Sequence, residues 1–144
     1  MTVHRRKGFQ AERELVKKLW RYGFAVLRGP ASGSGARTIF YPDLLAIYKG
    51  RIFVIEVKYR STDKDIYIDK EKINKLKDFA QRAHAEILIA VKIKNKGWFV
   101  VPLEHNCMET QKGCRIALRE HNIIPINEFI NNIVNENLNK YITK

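Results

Sequence analysis

Two carboxylates and a lysine stand out by type and spacing. Glu56 and Lys58 end the run Arg51-Ile52-Phe53-Val54-Ile55-Glu56-Val57-Lys58. On a strand, residues two apart share a face, so both side chains project together while Ile55 and Val57 point the other way. A charged pair at the end of an apolar strand is costly unless the strand end opens onto a cleft. Asp43 follows Pro42 and starts the preceding apolar run, and Lys49-Gly50 turns the chain back. Asp43 and Glu56 are therefore expected to be neighbours. Two close carboxylates repel unless a cation lies between them, and oxygen-only ligands suit Mg²⁺ or Mn²⁺. Such a metal can bind a phosphate oxygen and activate water, and the Lys58 ammonium can position the water or stabilise the pentacovalent phosphate. These are the parts of phosphodiester hydrolysis. The competing reading is a Glu56–Lys58 surface salt bridge with Asp43 as a turn residue.

The elements that must hold these residues can be read from pattern. A helix is predicted over about 8–22, ending at Gly23, with Phe9, Leu15, Val16, Leu19 and Trp20 as its apolar stripe. Glu12 falls inside that stripe, whereas Glu14 falls on the solvent side. A carboxylate in a buried stripe needs a partner or a metal, so Glu12 is a third acidic candidate; the alternative is a pairing with Arg28. Arg13 lies at the stripe's edge, and Arg28 ends a predicted strand over 24–28. Each offers a planar donor fork to phosphate, or is an ordinary surface cation. The Gly/Ser loop 29–42 lacks the Gly-Lys-Ser/Thr ending of a P-loop and no helix pattern follows it, which excludes nucleotide binding there. Its hydroxyls on Ser32 and Ser34, with Arg37, fit contact with a DNA backbone.

Further strands are predicted over 43–48, 51–58, 86–93 and 98–101. A helix is predicted over 70–84, N-capped by Asp69, with Ile73, Leu76, Ala80 and Ala83 as its stripe. Residues 103–124 show no clear period. A last helix begins near Pro125, and its apolar positions from Ile126 to Leu138 are expected to pack on the chain's own sheet. This order predicts one α/β domain over 1–144, a central mixed β-sheet flanked by helices.

Lys and Arg number 27 against 15 Asp and Glu, a net charge of +12. That excess favours a polyanion as partner. No apolar run approaches a membrane span, and no apolar segment follows the N-terminal charges, so neither membrane insertion nor secretion is expected and the cytoplasm is the default. Cys107 and Cys114 are expected to be free thiols, with a zinc site shared with His105 and His121, or a disulfide, as alternatives.

Pro42-Asp43 with Glu56-Val57-Lys58 matches the PD-(D/E)xK nuclease pattern. The wider series Lys7-Gly8, Ala11-Glu12-Arg13-Glu14-Leu15, Gly23-Phe24-Ala25-Val26-Leu27-Arg28 and Pro30-Ala31-Ser32-Gly33-Ser34 resembles the archaeal Holliday junction resolvases, over about Arg5 to Pro102. The resemblance implies a restriction-endonuclease-like fold, a homodimer, and Mg²⁺-dependent paired cuts in a four-way DNA junction. Glu12, Asp43 and Glu56 match the family's acidic site residues; Arg13, Arg28 and Lys58 match its essential basic ones. The metal-holding set is then Glu12, Asp43, Glu56 and Val57, and the DNA contacts Arg5, Arg6, Lys7, Arg28, Ser32, Ser34, Arg37 and Arg60. Phe79 matches a family aromatic, whereas Ala83 replaces a second one. Alternative activities are cleavage of another DNA structure (a flap, end or mismatch) or DNA binding without cleavage.

Overall fold

The computed structural model describes residues 3–30, 38–118 and 122–142, with side chains over 6–30, 38–118 and 122–138. Helix α1 (Val3–Arg21) leads to β1 (Ala25–Arg28), β2 (Leu44–Tyr48) and β3 (Arg51–Arg60). A short strand β4 (Ile66–Asp69) runs into α2 (Lys70–Ala83), followed by β5 (Glu86–Ile93) and β6 (Gly97–Pro102). The chain closes with β7 (Met108–Thr110), β8 (Gly113–Ile116), β9 (Ile124–Pro125) and α3 (Ile126–Ile142).

Six strands form a mixed sheet in the order β1-β2-β3-β5-β6-β9. Only β3 and β5 run parallel, and α2 is their crossover. This central pair carries the most apolar runs, as strands covered on both faces must. On one face α1 and α3 pack Leu15, Leu19, Phe129 and Ile130 against Leu44, Phe53, Ile55 and Leu88. On the other, α2 sets Leu76 and Ala80 against Val54. Beside α2, Ile66, Ile68, Cys114 and Ile116 cover Ile89, Val91 and Val101.

The expected α/β architecture is therefore present, with both helix stripes in their predicted roles. Asp69 caps α2, its side chain accepting from Lys72 N at 2.8 Å, and His84 ends the helix in the left-handed conformation. Trp20 is the exception on α1, lying exposed outside the buried stripe of Ala11, Leu15 and Leu19. The segment 103–124 holds what periodicity could not reveal: its strands β7 and β8 join β4 in a second, three-stranded sheet, and β9, which starts at its end, adds an edge strand to the first. The expectation of free thiols is overturned. Cys107 and Cys114 form a disulfide across the β7–β8 hairpin, with Cα atoms 5.4 Å apart. That pairing removes both thiolates from any zinc site. No helix among the described residues is long and apolar enough to cross a membrane.

Candidate active site

Strand β3 alternates its side chains across the sheet. Ile55 and Val57 join the α1/α3 core, so Glu56 and Lys58 project with Val54 on the α2 side. Glu56 is 3% exposed and is the one buried charged residue among the described residues. Its Oε1 lies 3.6 Å from Lys58 Nζ and 3.5 Å from Lys72 Nζ. Its Oε2 is buried with no hydrogen-bond partner. Burial, then repulsion by Asp43, pushes the Glu56 carboxyl up to about 7, while Lys58 and Lys72 pull it down.

Asp43 sits just ahead of β2, opposite Gly29, which follows the end of β1. Gly29 N donates to Asp43 O at 2.9 Å. A Cβ on Gly29 would lie 2.0 Å from Pro42 O, so no larger residue fits there without moving the backbone. Across the sheet, Val57 N donates to Asp43 Oδ2 at 2.9 Å. One carboxylate oxygen of Asp43 is thereby fixed against the strand that carries Glu56.

Glu12 reaches the site from α1. It is half-buried and forms an ion pair with Arg28 Nη2 at 3.1 Å. Burial raises its carboxyl above the ordinary carboxylate range; the Arg28 hydrogen bond opposes that, and Asp43 adds to it. The pairing considered from sequence as the alternative for Glu12 is thus formed, and the Asp43 charge raises the carboxyls of both Glu12 and Glu56. Among the described residues, no three His, Cys, Asp or Glu side chains form a ready-made metal-holding group. The donor chemistry nevertheless fits a hard divalent cation. Asp43 is near enough to raise the carboxyls of both Glu12 and Glu56, and a buried carboxylate oxygen lacking any partner is an acceptor that a cation would satisfy.

The other predicted residues divide into three groups. Arg13 and Arg6 are exposed on α1, without an ion-pair partner among the described residues. Lys7 Nζ lies 5.5 Å from the Tyr59 ring centre, and Arg60 Nη1 donates to Tyr59 O at 3.0 Å, so both border the end of β3. The side chain of Arg5, and Ser32, Ser34 and Arg37, lie outside the described residues. Lys72 is a site residue that the sequence reading did not find. It occupies the first turn of α2, and only the packing of α2 over β3 places it beside Glu56.

A family model described as archaeal Holliday junction resolvase (hjc) matches residues 3–138. The chain belongs to the archaeal Holliday junction resolvase family. Among relatives in this family, the crossover junction endodeoxyribonuclease Hjc of Sulfurisphaera tokodaii is 41% identical over 93 residues, 65% of this chain and 64% of its own length. That of Sulfolobus acidocaldarius is 44% identical over 87 residues, 60% of each chain. The chain thus spans less than two thirds of either relative. A solved structure of Archaeoglobus fulgidus Hjc, a Holliday junction resolvase from an archaeal hyperthermophile, matches with a TM-score of 0.67 at 30% identity. That match covers 76% of this chain and 88% of the other.

Proposed function

We propose that this protein is a metal-dependent endodeoxyribonuclease that resolves four-way DNA junctions by paired phosphodiester hydrolysis. The observation that carries the reading is the buried Glu56, its Oε2 without a partner, set beside Asp43 and Lys58 in a chain of this family. Asp43, Glu56 and the backbone of Val57 would hold Mg²⁺, or Mn²⁺ in its place, with Glu12 alongside. When bound, the ion supplies Lewis-acid charge for the attack on phosphorus.

The chain's own groups have separable tasks. The Val57 N–H fixes the Asp43 carboxylate, so one of its oxygens stays oriented whether or not DNA is present. Lys58, 3.6 Å from Glu56 Oε1, is placed to hold the attacking water or to neutralise charge growing on the phosphoryl oxygens. Arg28 holds the Glu12 carboxylate, opposes the rise that burial imposes on it, and can exchange that partner for a phosphate. Arg13, Arg6, Lys7 and Arg60 extend a cationic margin along the α1 and β3 ends, with Arg5, Ser32, Ser34 and Arg37 assigned to the same DNA contact. A net charge of +12 makes the complex strongly salt-dependent.

Cutting both strands of a junction calls for two sites, and we assign the protein to a homodimer. A face suited to a second copy lies on the α2 side at the β1 edge. Leu27 is 65% exposed there, opposite Leu45, which packs with Phe40 and Phe79. Ile39 and Tyr41 are exposed on either side of Phe40. An apolar patch of this kind on an otherwise charged surface is suited to protein contact. DNA as substrate accords with the cytoplasm as the place of action.

The test presents the protein with a four-way junction and a linear duplex of the same sequence, in Mg²⁺ and in EDTA. Paired, symmetrical cuts on the junction alone, and only with metal, are expected. Equal cutting of the duplex would refute junction specificity, and binding without cutting at any metal concentration would refute the nuclease reading.

A further inference from the structure

Lys72 is held from three sides. Its backbone N–H donates to the Asp69 cap at 2.8 Å, which fixes the first turn of α2. Its ammonium lies 5.8 Å from the centre of the Phe40 ring, and Phe40 in turn meets Phe79 of α2 edge-on, with ring centres 6.4 Å apart. Its third contact is Glu56 Oε1, at 3.5 Å. Lys58 approaches the same oxygen. Two lysines share one carboxylate oxygen, while the other is buried with none.

A carboxylate buried only to hold the fold together would have both oxygens satisfied. This one is satisfied on a single side, by cations from two different elements. We infer that Lys72 is a positioning residue for Glu56: it anchors Oε1 from α2, leaves Oε2 free for the divalent cation, and weakens the hold on that cation by its own charge. The inference rests on the metal-dependent reading above and adds a specific consequence to it. Like charges near one ligand oppose each other, so the ammonium and the metal are coupled with negative sign. Lys72 thereby favours correct geometry over tight metal binding. A structural salt bridge to a Glu56 that holds no metal predicts no such opposition. Phe40 gives the arrangement a second role, because it lies three residues ahead of Asp43 and joins the end of the 29–42 loop to α2 through the Lys72 side chain.

The experiment titrates the full chain with Mn²⁺, reading free ion by electron paramagnetic resonance, and separately measures junction binding and single-turnover cleavage at saturating metal. Lys72→Met is expected to bind Mn²⁺ about tenfold more tightly and to cleave about tenfold more slowly, within the range that residues behind metal ligands command. Its junction affinity should stay within about twofold of wild type, since one cation among many is lost. Lys72→Arg keeps the charge and is expected to restore Mn²⁺ affinity to within about threefold. Lys72→Gln provides the same comparison if the methionine variant does not fold. Mn²⁺ affinity unchanged or weakened on loss of the charge overturns the inference, and so does cleavage at the wild-type rate. A wild-type chain that binds no Mn²⁺ overturns the metal-dependent reading itself, and the wild-type titration alone reveals that case.

Discussion

Replacing Glu56 by Gln should stabilise the metal-free protein, and by an amount that depends on pH. The Glu56 carboxyl is raised from an ordinary 4.5 to about 7, first by burial and then by Asp43. A carboxyl whose value rises on folding binds more protons in the native state, so stability falls as pH climbs from 4.5 towards 7 and then levels off. At about 1.4 kcal/mol for each pH unit of displacement, the ionised Glu56 costs the fold about 3 kcal/mol above neutrality, and almost nothing at about pH 4. The pull of Lys58 and Lys72 is already contained in that figure. Gln removes the charge while keeping the shape, and its carboxamide oxygen can turn towards the two lysines. The assay is urea unfolding in EDTA at low salt and one protein concentration. With a slope of about 2 kcal/mol per molar urea, the Gln variant's midpoint should exceed wild type by roughly 1.5 M at about pH 8 and coincide with it at about pH 4. Adding Mg²⁺ should then raise the wild-type midpoint and leave the variant's unmoved, since a ligand stabilises only the form that binds it. A Gln variant no more stable than wild type at the higher pH, or a gain equal at both pH values, would refute the reasoning.

Three other perturbations probe different parts of the site. Asp43→Asn removes a charge while its oxygen can still accept from Val57 N, so cleavage should fall by at least about a hundredfold with junction affinity little changed; cutting at the normal rate would remove Asp43 from the metal-holding set. Gly29→Ala forces a Cβ towards Pro42 O and should cost about 2 kcal/mol or more in urea unfolding, with cleavage lost through displacement of Asp43; wild-type stability would show that the loop end yields freely. Leu27→Lys places a charge on the exposed apolar edge and should convert a dimer to monomers in sedimentation equilibrium, where a persistent dimer moves the interface elsewhere.

What the sequence disclosed follows from the range of the interactions involved. The Asp43, Glu56 and Lys58 constellation was legible because a hairpin with a two-residue turn fixes its own register: Leu44 pairs with Ile55, which puts Asp43 beside the Glu56–Val57 step. Glu12 was legible as a carboxylate out of place on an amphipathic helix, and its Arg28 partner was considered with it. Lys72 was not. Its position depends on how α2 crosses β3, a tertiary fact with no local signature, and on the helix surface its type is unremarkable. The β4-β8-β7 sheet escaped for a related reason. Its strands are three or four residues long, too short for alternation to register, and β4 pairs with β8 across more than forty residues. The disulfide belongs with that hairpin: once β7 and β8 pair, the two cysteines meet, whereas their spacing alone was compatible with thiols or zinc.

The position of the site relative to the molecule's hollows argues for a polymeric substrate. A cleft of about 590 Å³ lies at the opposite end of β3, where Arg51 and Phe53 meet Glu86 and Glu136. Arg51 there binds both carboxylates, at 2.7 and 2.6 Å, and neutralises much of the local charge. A small-molecule enzyme would be expected to place its chemistry in a concave hollow of this kind. Here the unsatisfied carboxylate, the two lysines on it and the Arg28–Glu12 pair gather instead at the strand's other end, with Lys7 and Arg60 beside them. A DNA arm is a broad convex polyanion and cannot enter a cleft of that size. It requires an open, cation-bordered edge with one carboxylate-lined recess beneath the phosphate, and among the described residues the asymmetry of charge along β3 supplies that at the Glu56 end.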